Sequence, residues 1–305
     1  MKTPRQEATQ LVNMLFQKKL IASVNTKFRY IESLRGIIQY LRNNDILSYI
    51  TKAKNDQETK VSIELLMSEY FKERAEVVNQ VTLDIDRQAL QKATGIKLER
   101  YKSTVFNQKY DVDTRAYTRE QIGLALIRMK PEVAFSTLLL MSTGCRVHEL
   151  YSIIPESELK RDNRNWSKNL FIGRTDFRIY CVIGKGGLIR YVALSNQLAD
   201  ILDTLRLNEP KKEISGDMYY YANHDIPAGK KLGQRVRYAI KNALGWANGT
   251  HGIRHTYVQT RYDTLMCLGF SDLEAREIIS QELGHFRLDV LEAYLEDSFS
   301  TKINN

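Results

Sequence analysis

Hydrophobic positions recur every three to four residues through the first third of the chain. This period is typical of amphipathic helices packed on a core, and it runs through residues 26–44 and 61–81. A polar connector at 52–60 separates these two segments. A third segment with the same period, 85–105, would place four apolar side chains against a core: Ile85, Leu90, Ile96 and Leu98. The pattern predicts a helical N-terminal region.

The pattern changes at residues 111–118, which have no apolar period. Thr118, followed three residues later by Gln121, is typical of a capped helix N-terminus. We therefore predict a boundary between a helical domain of residues 1–113 and a second domain of residues 114–305.

The second domain begins with predicted helices at 117–129 and 131–143. Short runs rich in Ile, Val, Tyr and Phe follow, and they predict strands at 169–173, 177–184 and 188–195. The glycine-rich turn Gly184–Gly187 predicts a hairpin between the last two. Helices are predicted to resume at residue 194 and continue to the C-terminus. The predicted fold class is mainly α with a small antiparallel β-sheet (α+β).

The composition is that of a globular protein long enough for two domains, with 43% hydrophobic and 27% charged residues in 305. There is no apolar run of membrane-spanning length, and the polar N-terminus lacks the apolar region that is typical of a signal peptide. We therefore expect no membrane and a cytoplasmic location. Three cysteines without a CxxC spacing argue against a disulfide framework or a cysteine zinc site. A formal net charge of +9 favours a polyanionic partner, though weakly by itself.

Four stretches could carry chemistry, and each also has a purely structural interpretation. In the stretch 143–150, Arg146 and Glu149 would share one face of a helix and form an ion pair, while His148 is predicted at the surface. Gly144 indicates a close approach. Lys185 in the hairpin turn is either an ordinary turn lysine or a mobile reactive group.

The stretch 250–257 contains His251 and Arg254 three residues apart, with His255 beside them. A zinc site is disfavoured because no carboxylate or cysteine lies nearby in sequence. An arginine next to a histidine suits a phosphate better, since it supplies a forked fixed charge and a proton-transfer group.

The stretch 283–295 contains His285 and, nine residues later, Tyr294. On one helix, nine steps of about 100° would place these side chains on opposite faces. However, Gly284 is a good residue for ending a helix, and Asp289 for starting one. The sequence therefore predicts a break that frees His285. A leucine stripe would pack the second helix on the core: Leu288, Leu291 and Leu295.

Together these groups resemble, in identity and order, the catalytic domain of the tyrosine recombinases, the phage-integrase family. The resemblance covers residues 117 to 300. It departs from the compact members of the family in a longer segment between Arg146 and Lys185, near residues 161–169, and in bulkier residues between His285 and Tyr294. It implies site-specific recombination through a 3′-phosphotyrosine intermediate and a Holliday junction, with integration, excision, resolution and inversion all open.

The resemblance also implies a role for each group. Arg146 and Arg254 would neutralise the non-bridging oxygens of the scissile phosphate, and Lys185 would protonate the leaving 5′-oxygen. Tyr294 would be the nucleophile. Three further residues would assist: His251 as the acceptor of the tyrosine proton, His285 as a hydrogen-bonding partner of the phosphate, and Glu149 as the group that orients Arg146 and His251. Neither a metal nor a nucleotide cofactor is implied.

The implied partners are double-stranded DNA sites and a homotetramer formed by exchange of the C-terminal tail, with Phe299 and Ile303 as the anchor. Basic residues of the third N-terminal segment are candidates for DNA-backbone contacts, although a solvated helix face is an equal alternative: Arg87, Lys92, Lys97, Arg100 and Lys102. Two other functions use the same groups or fold, namely a type IB topoisomerase and a non-catalytic DNA-binding protein.

Overall fold

The structure is a computed structural model, and it describes residues 2–21, 23–43, 57–105, 115–215 and 218–295. The chain divides into two compact units, Met1–Tyr110 and Asp111–Asn305. The domain boundary predicted at residues 113 and 114 lies outside the described residues and stays a prediction. In the described part, no helix is long and apolar enough to cross a membrane.

The described residues of the first unit form the helices α1 (Pro4–Gln17), α2 (Val24–Asn43), α3 (Gln57–Val77) and α4 (Gln80–Thr94). The helices predicted at 26–44 and 61–81 are confirmed, although the second ends earlier. The side chain of Asn79 accepts a hydrogen bond from the amide of Thr82 and so starts α4 separately. The core of this unit is formed by apolar side chains that include Leu34, Ile37, Phe71 and Leu83.

The helix predicted over 85–105 is wrong beyond Thr94. Gly95 adopts φ 75°, and its amide donates to the carbonyl of Gln91, which ends α4. The next residues run without helical structure and bond to other parts of the unit instead. The Ser103 hydroxyl donates to the Val78 carbonyl at 2.5 Å, and the Tyr101 hydroxyl donates to Ser68 at 2.7 Å. The backbone amides that a longer helix would have paired bond elsewhere: the Ser103 amide donates to the Gln80 side chain at 2.9 Å, and the Thr104 amide donates to the Ala75 carbonyl at 2.9 Å.

In its described residues the second unit is mainly helical with two small antiparallel sheets, which confirms the predicted fold class. In chain order its elements are α5 (Arg119–Leu126), α6 (Pro131–Thr143), β1 (Ile154–Pro155), β2 (Phe177–Ile183), β3 (Ile189–Ser195), α7 (Asn196–Thr204), β4 (Arg206–Ser215), β5 (Met218–His224), α8 (Gly229–Leu244), α9 (Gly249–Cys267), α10 (Asp272–Glu282) and α11 (Asp289–Leu295). One sheet has the order β1–β2–β3, and β4 pairs with β5.

The capped helix start predicted at Thr118 is confirmed, because Thr118 and Gln121 form a capping box at the first turn of α5. The predicted hairpin is confirmed as well. Strands β2 and β3 pair from Phe177 opposite Ser195 to Ile183 opposite Ile189.

The strand predicted at 169–173 is wrong, because these residues form a turn. Phe171 adopts φ 61°, and its amide donates to the Glu282 carboxylate at 2.9 Å. The carbonyl of Ile172 accepts from Arg261 at 3.0 Å. A buried ion pair therefore satisfies the backbone groups that a sheet would have used, and the short strand β1 pairs with β2 instead.

The prediction of uninterrupted helices after residue 194 is also wrong, because β4 and β5 form a hairpin between α7 and α8. Residues 218–221 carry three tyrosines, a composition that favours strands.

Two apolar clusters hold the second unit together. The larger joins α5, α6, α8 and the three-stranded sheet, with Leu139, Leu150, Val182, Val192 and Val236 at its centre. The smaller joins α9, α10 and α11 and contains Val258, Leu265, Ile279, Leu291 and Leu295. Two of the three leucines of the predicted stripe are therefore core residues, and Leu288 is partly buried. The smaller cluster fixes the short C-terminal helix on α9.

Candidate active site

Arg146 lies in a tight turn that follows α6. Gly144 ends that helix with φ 62°, and a Cβ atom there would lie 2.6 Å from the ring of Tyr257, so the predicted close approach is present. The helix predicted over Arg146 and Glu149 is wrong, since a 3-10 turn begins only at Glu149. The predicted ion pair forms nonetheless. Glu149 accepts from the Arg146 guanidinium at 2.9 Å and from its backbone amide at 2.8 Å.

Glu149 is buried and is shared by two arginines. Its second oxygen accepts from Arg190 of β3 at 2.7 Å, and the Arg190 side chain is 1% exposed. Burial acts to raise the pKa of Glu149, but the charges of Arg190, Arg254 and Arg146 outweigh it and lower that pKa to about 2. Arg190 is not among the residues predicted from the sequence. Arg190 lies two residues before Val192 on the same strand, so both side chains face inward, and this spacing could have indicated that Arg190 is buried.

Arg254 of α9 is 2% exposed and is held by backbone carbonyls. It donates to the carbonyl of Gly144, and to that of Leu283 at 3.2 Å. Its Nη2 also lies 3.1 Å from Nε2 of His285, and Nη2 of Arg146 lies 3.3 Å from the same nitrogen. The structure therefore brings Arg146, Arg254 and His285 together.

A guanidinium group can only donate hydrogen bonds, so Nε2 of His285 is the acceptor of both contacts and carries no proton in this state. Burial and then the charges of Arg254 and Arg146 lower the pKa of His285 to about 4. Two guanidinium groups that converge on one acceptor are a suitable arrangement for binding a phosphate, because each can donate two parallel bonds to oxygen.

Tyr294 of α11 lies against two histidines of α9. Its ring centroid is 4.4 Å from that of His255 and 5.6 Å from that of His251. Tyr294 is 6% exposed and belongs to the same apolar cluster as Leu291. The tyrosine is thus mounted on a helix whose other buried face is apolar.

The two histidines differ in exposure. His255 is buried, and desolvation followed by nearby positive charge lowers its pKa to about 3. His251 is exposed at the start of α9, and its pKa is lowered as well, by desolvation first and then by Arg254. The sequence predicts no role for His255, because its contact with Tyr294 depends on long-range packing. No group of metal-ligating residues is present in the described parts of the chain.

The predicted helix break is confirmed. Helix α10 ends at Glu282, Gly284 adopts φ 74°, Phe286 adopts φ 55°, and α11 begins at Asp289. The break orients His285 toward the arginines, while α11 carries the tyrosine to the histidines.

A buried ionic network lies directly before this break, and sequence analysis missed it. Glu282 accepts from Arg261 at 2.8 and 3.0 Å and from the Tyr257 hydroxyl at 2.7 Å. Both charged side chains are almost fully buried. The network ties the end of α10 to α9, and so fixes the point from which His285 departs.

Lys185 lies in the predicted turn between β2 and β3. Its side chain is exposed, and Gly186 and Gly187 after it adopt φ 78° and 83°. A Cβ atom at Gly184 would lie 3.4 Å from Glu149 Oε1, so the base of the turn adjoins the Arg146 ion pair. Among the described residues, no hydrogen bond or ion pair joins the Lys185 ammonium group to the site.

His148 was predicted at the surface, and this is wrong. It is half-buried, its Nε2 lies 3.0 Å from the Ser215 hydroxyl, and its ring lies 5.2 Å from that of Tyr220. The β4–β5 hairpin, which the sequence did not predict, covers it.

The five candidate DNA contacts lie on α4 and on the segment that follows it. Arg100 forms two bonds with Asp84, at 3.1 and 2.8 Å, and Arg87 donates to Gln91 and to the Leu98 carbonyl. The remaining three are exposed: Lys92, Lys97 and Lys102. A role for these five in DNA contact stays a prediction.

The chain is similar in fold to solved structures of a site-specific recombinase. XerH bound to its difH substrate in a pre-cleavage complex gives a TM-score of 0.57 at 17% identity, covering 97% of this chain and 83% of that chain. XerH in a post-cleavage complex with palindromic difH also gives 0.57, at 15% identity, covering 94% and 80%. No family model and no curated protein matches the sequence.

At this identity the likeness concerns the fold. The chain therefore has the fold of a site-specific recombinase, and the fold implied by the tyrosine recombinase resemblance is confirmed.

Proposed function

We propose that this protein is a site-specific DNA recombinase that cleaves and rejoins DNA through a 3′-phosphotyrosine and a Holliday junction. The observation that carries the proposal is the convergence of Arg146 and Arg254 on His285, with Tyr294 packed against the same helix that bears Arg254.

Arg146 and Arg254 bind the scissile phosphate. Arg254 is held by two backbone carbonyls and pre-positioned, whereas the Arg146 side chain is 39% exposed and adjoins solvent. When a phosphate enters beside Arg146, its non-bridging oxygens replace the His285 nitrogen as the acceptor of the guanidinium hydrogen bonds. Donors that are fixed before the charge develops are the most effective way to stabilise it. Once the arginines bond to the phosphate, the neutral His285 ring takes the tautomer in which Nε2 carries the proton, and this N–H donates to a phosphate oxygen. Glu149 keeps Arg146 oriented.

Tyr294 is the nucleophile, and His251 accepts its proton. A general base works best when its pKa is close to the working pH. His255, with a pKa of about 3, fits this role poorly although its ring is closer to the tyrosine. His251 is the exposed member of the pair. Lys185, on its exposed glycine-flanked turn, protonates the 5′-oxygen that leaves.

The partners in this proposal are paired double-stranded DNA sites and three further copies of the chain, joined by exchange of the C-terminal tail. The anchor residues of that tail, Phe299 and Ile303, lie outside the described residues. The N-terminal unit contacts the DNA backbone through Arg87, Lys92, Lys97, Arg100 and Lys102. The cytoplasmic location of the protein stays a prediction.

The test is covalent capture. Duplexes that bind the full chain are selected from a random-sequence library, and the enriched sequence is built into a nicked suicide substrate. The native protein should form a covalent protein–DNA band and the Tyr294→Phe variant should not. The Tyr221→Phe variant is the control, because Tyr221 is 61% exposed on β5, and it should keep the band.

Two outcomes would contradict the proposal. Absence of a band with the native protein on a selected site that it binds would indicate a non-catalytic DNA-binding protein. Relaxation of a supercoiled plasmid that lacks the site, at the rate found with the site present, would indicate a type IB topoisomerase.

A further inference from the structure

The extra segment between Arg146 and Lys185, residues 161–169, folds onto the edge of the candidate active site. The amide of Asp162 donates to the Ile189 carbonyl at 3.1 Å, and its carboxylate accepts from the Ile189 amide at 3.3 Å. The indole nitrogen of Trp166 donates to the Asp162 carbonyl at 2.8 Å. The segment is thus bonded to the first residue of β3, next to Arg190.

Two side chains of this segment cover Phe286. The Trp166 and Phe286 rings meet edge to face with centroids 4.7 Å apart, and the Arg164 guanidinium lies 5.1 Å from the Phe286 ring. Arg161 supports Trp166 from 5.2 Å. The Ser167 amide donates to the Gln281 side chain at 2.5 Å, which joins the segment to α10 as well.

Phe286 is the residue after His285 and adopts φ 55°. A large side chain rarely takes this left-handed conformation, and it persists only where the surroundings enforce it. On the other side of His285, Gly284 adopts φ 74°, and a Cβ atom there would lie 2.8 Å from the Arg190 side chain. The orientation of His285 therefore depends on an unfavourable backbone conformation that is held by packing.

We propose that Trp166, assisted by Arg164, is a positioning residue for His285. It holds Phe286 in place, and this keeps the His285 nitrogen between Arg146 and Arg254. The proposal rests on the proposed function, because His285 serves the phosphate there. It assigns a purpose to a segment that lengthens this chain relative to compact recombinases.

The first test asks whether Trp166 acts through His285. The Trp166→Ala variant should form the covalent adduct about tenfold more slowly than the native chain, with DNA binding within about twofold. In a His285→Ala background the same change should alter the rate by less than about twofold, because no positioned histidine remains. An equal loss in both backgrounds would overturn the proposal. The Trp166→Phe variant keeps an aromatic ring and should recover most of the rate.

The second test needs no activity. In the free full chain, NMR titration of the imidazole ring should show His285 ionising near pH 4, among its neighbours Arg146, Arg254, Arg190 and Glu149. In the Trp166→Ala variant the histidine is released toward solvent, and its pKa should rise toward 6.5. The Arg164→Ala variant should raise the pKa of His285 by a smaller amount. Because Arg164 is exposed, this change does not endanger folding.

His224 is the internal control for this titration, because it is buried elsewhere with a pKa lowered to about 4, and it should not move. An unchanged His285 in both variants overturns the positioning role whether or not the native chain cleaves DNA. A shifted His285 without any adduct from the native chain supports the positioning role while the recombinase proposal fails.

Discussion

The Arg190 guanidinium and the Glu149 carboxylate form an ion pair of 2.7 Å in which the two side chains are 1% and 4% exposed. The other Glu149 oxygen holds Arg146. One buried carboxylate therefore joins strand β3 to the arginine of the candidate active site.

Replacing Arg190 with methionine should destabilise the second unit by about 3–5 kcal/mol, because it leaves a buried charge with half of its partners. Urea denaturation measures the loss. Adding Glu149→Gln to the variant removes this partly compensated buried charge and should restore part of the stability. A double variant no more stable than the Arg190→Met variant would contradict this explanation.

Replacing Arg146 with lysine should slow covalent adduct formation by about 100-fold, because lysine keeps the charge but loses the fork that binds two oxygens. Single-turnover kinetics on the suicide substrate measure the change. Arg178→Lys is a matched control, since that side chain is also 39% exposed and ion-paired. A similar loss in both variants would mean that the geometry of Arg146 is not used.

The stability of the second unit should fall as the pH falls below 6.5. His255 and His224 are each 2% exposed, and burial is the first cause that lowers their pKa values, to about 3 and about 4. The unfolded chain, with a histidine pKa of about 6.5, takes up protons first. The contribution of the neutral histidines is therefore complete above pH 6.5 and is lost as the pH falls toward these folded values.

The loss between pH 7.5 and pH 5.5 should be on the order of 1 kcal/mol for each of the two histidines. Urea denaturation at the two pH values measures it. The His255→Gln variant should show a smaller difference than the native chain, and an equal difference would show that His255 titrates normally.

Replacing Gly144 with alanine should cost more stability than the same change at Gly95. Both glycines have positive φ, which costs alanine about 1–2 kcal/mol. Among the residues that the structure describes, nothing lies within 4 Å of a Cβ atom at Gly95, whereas one at Gly144 would lie 2.6 Å from Tyr257. Since each glycine belongs to a different unit, each loss is measured on the unfolding transition of its own unit. Equal losses would mean that the Tyr257 ring moves aside freely.

Local signals in the sequence predicted much of the fold. The Thr118 capping box, the glycine-rich turn at Lys185 and the break at Gly284 are each encoded within a few residues, and each is present. The strand predicted at 169–173 fails because its backbone groups bond to Glu282 and Arg261, which lie about a hundred positions further along the chain. The spacing of hydrophobic residues along the sequence gives no information about partners that lie so far away in the chain.

The same limit applies to the site. The order and spacing of six groups were visible in the sequence, and the structure brings three of them together at Arg146, Arg254 and His285. Arg190 and the pair of Arg261 with Glu282 were missed, because a buried charge reads as a surface charge until its distant partner is known. The catalytic roles of the six groups predicted from the sequence stay predictions.

The contact of His285 with two guanidinium groups also sets a threshold for what the free protein can capture. The lone pair of the His285 ring already accepts hydrogen bonds from two guanidinium groups that would otherwise attract a small anion. Free inorganic phosphate has to displace the neutral imidazole of His285, which the polypeptide chain holds in place. In the proposed function, a phosphodiester held by a long DNA interface would enter at a much higher effective concentration, so His285 would favour the DNA phosphate over free anions.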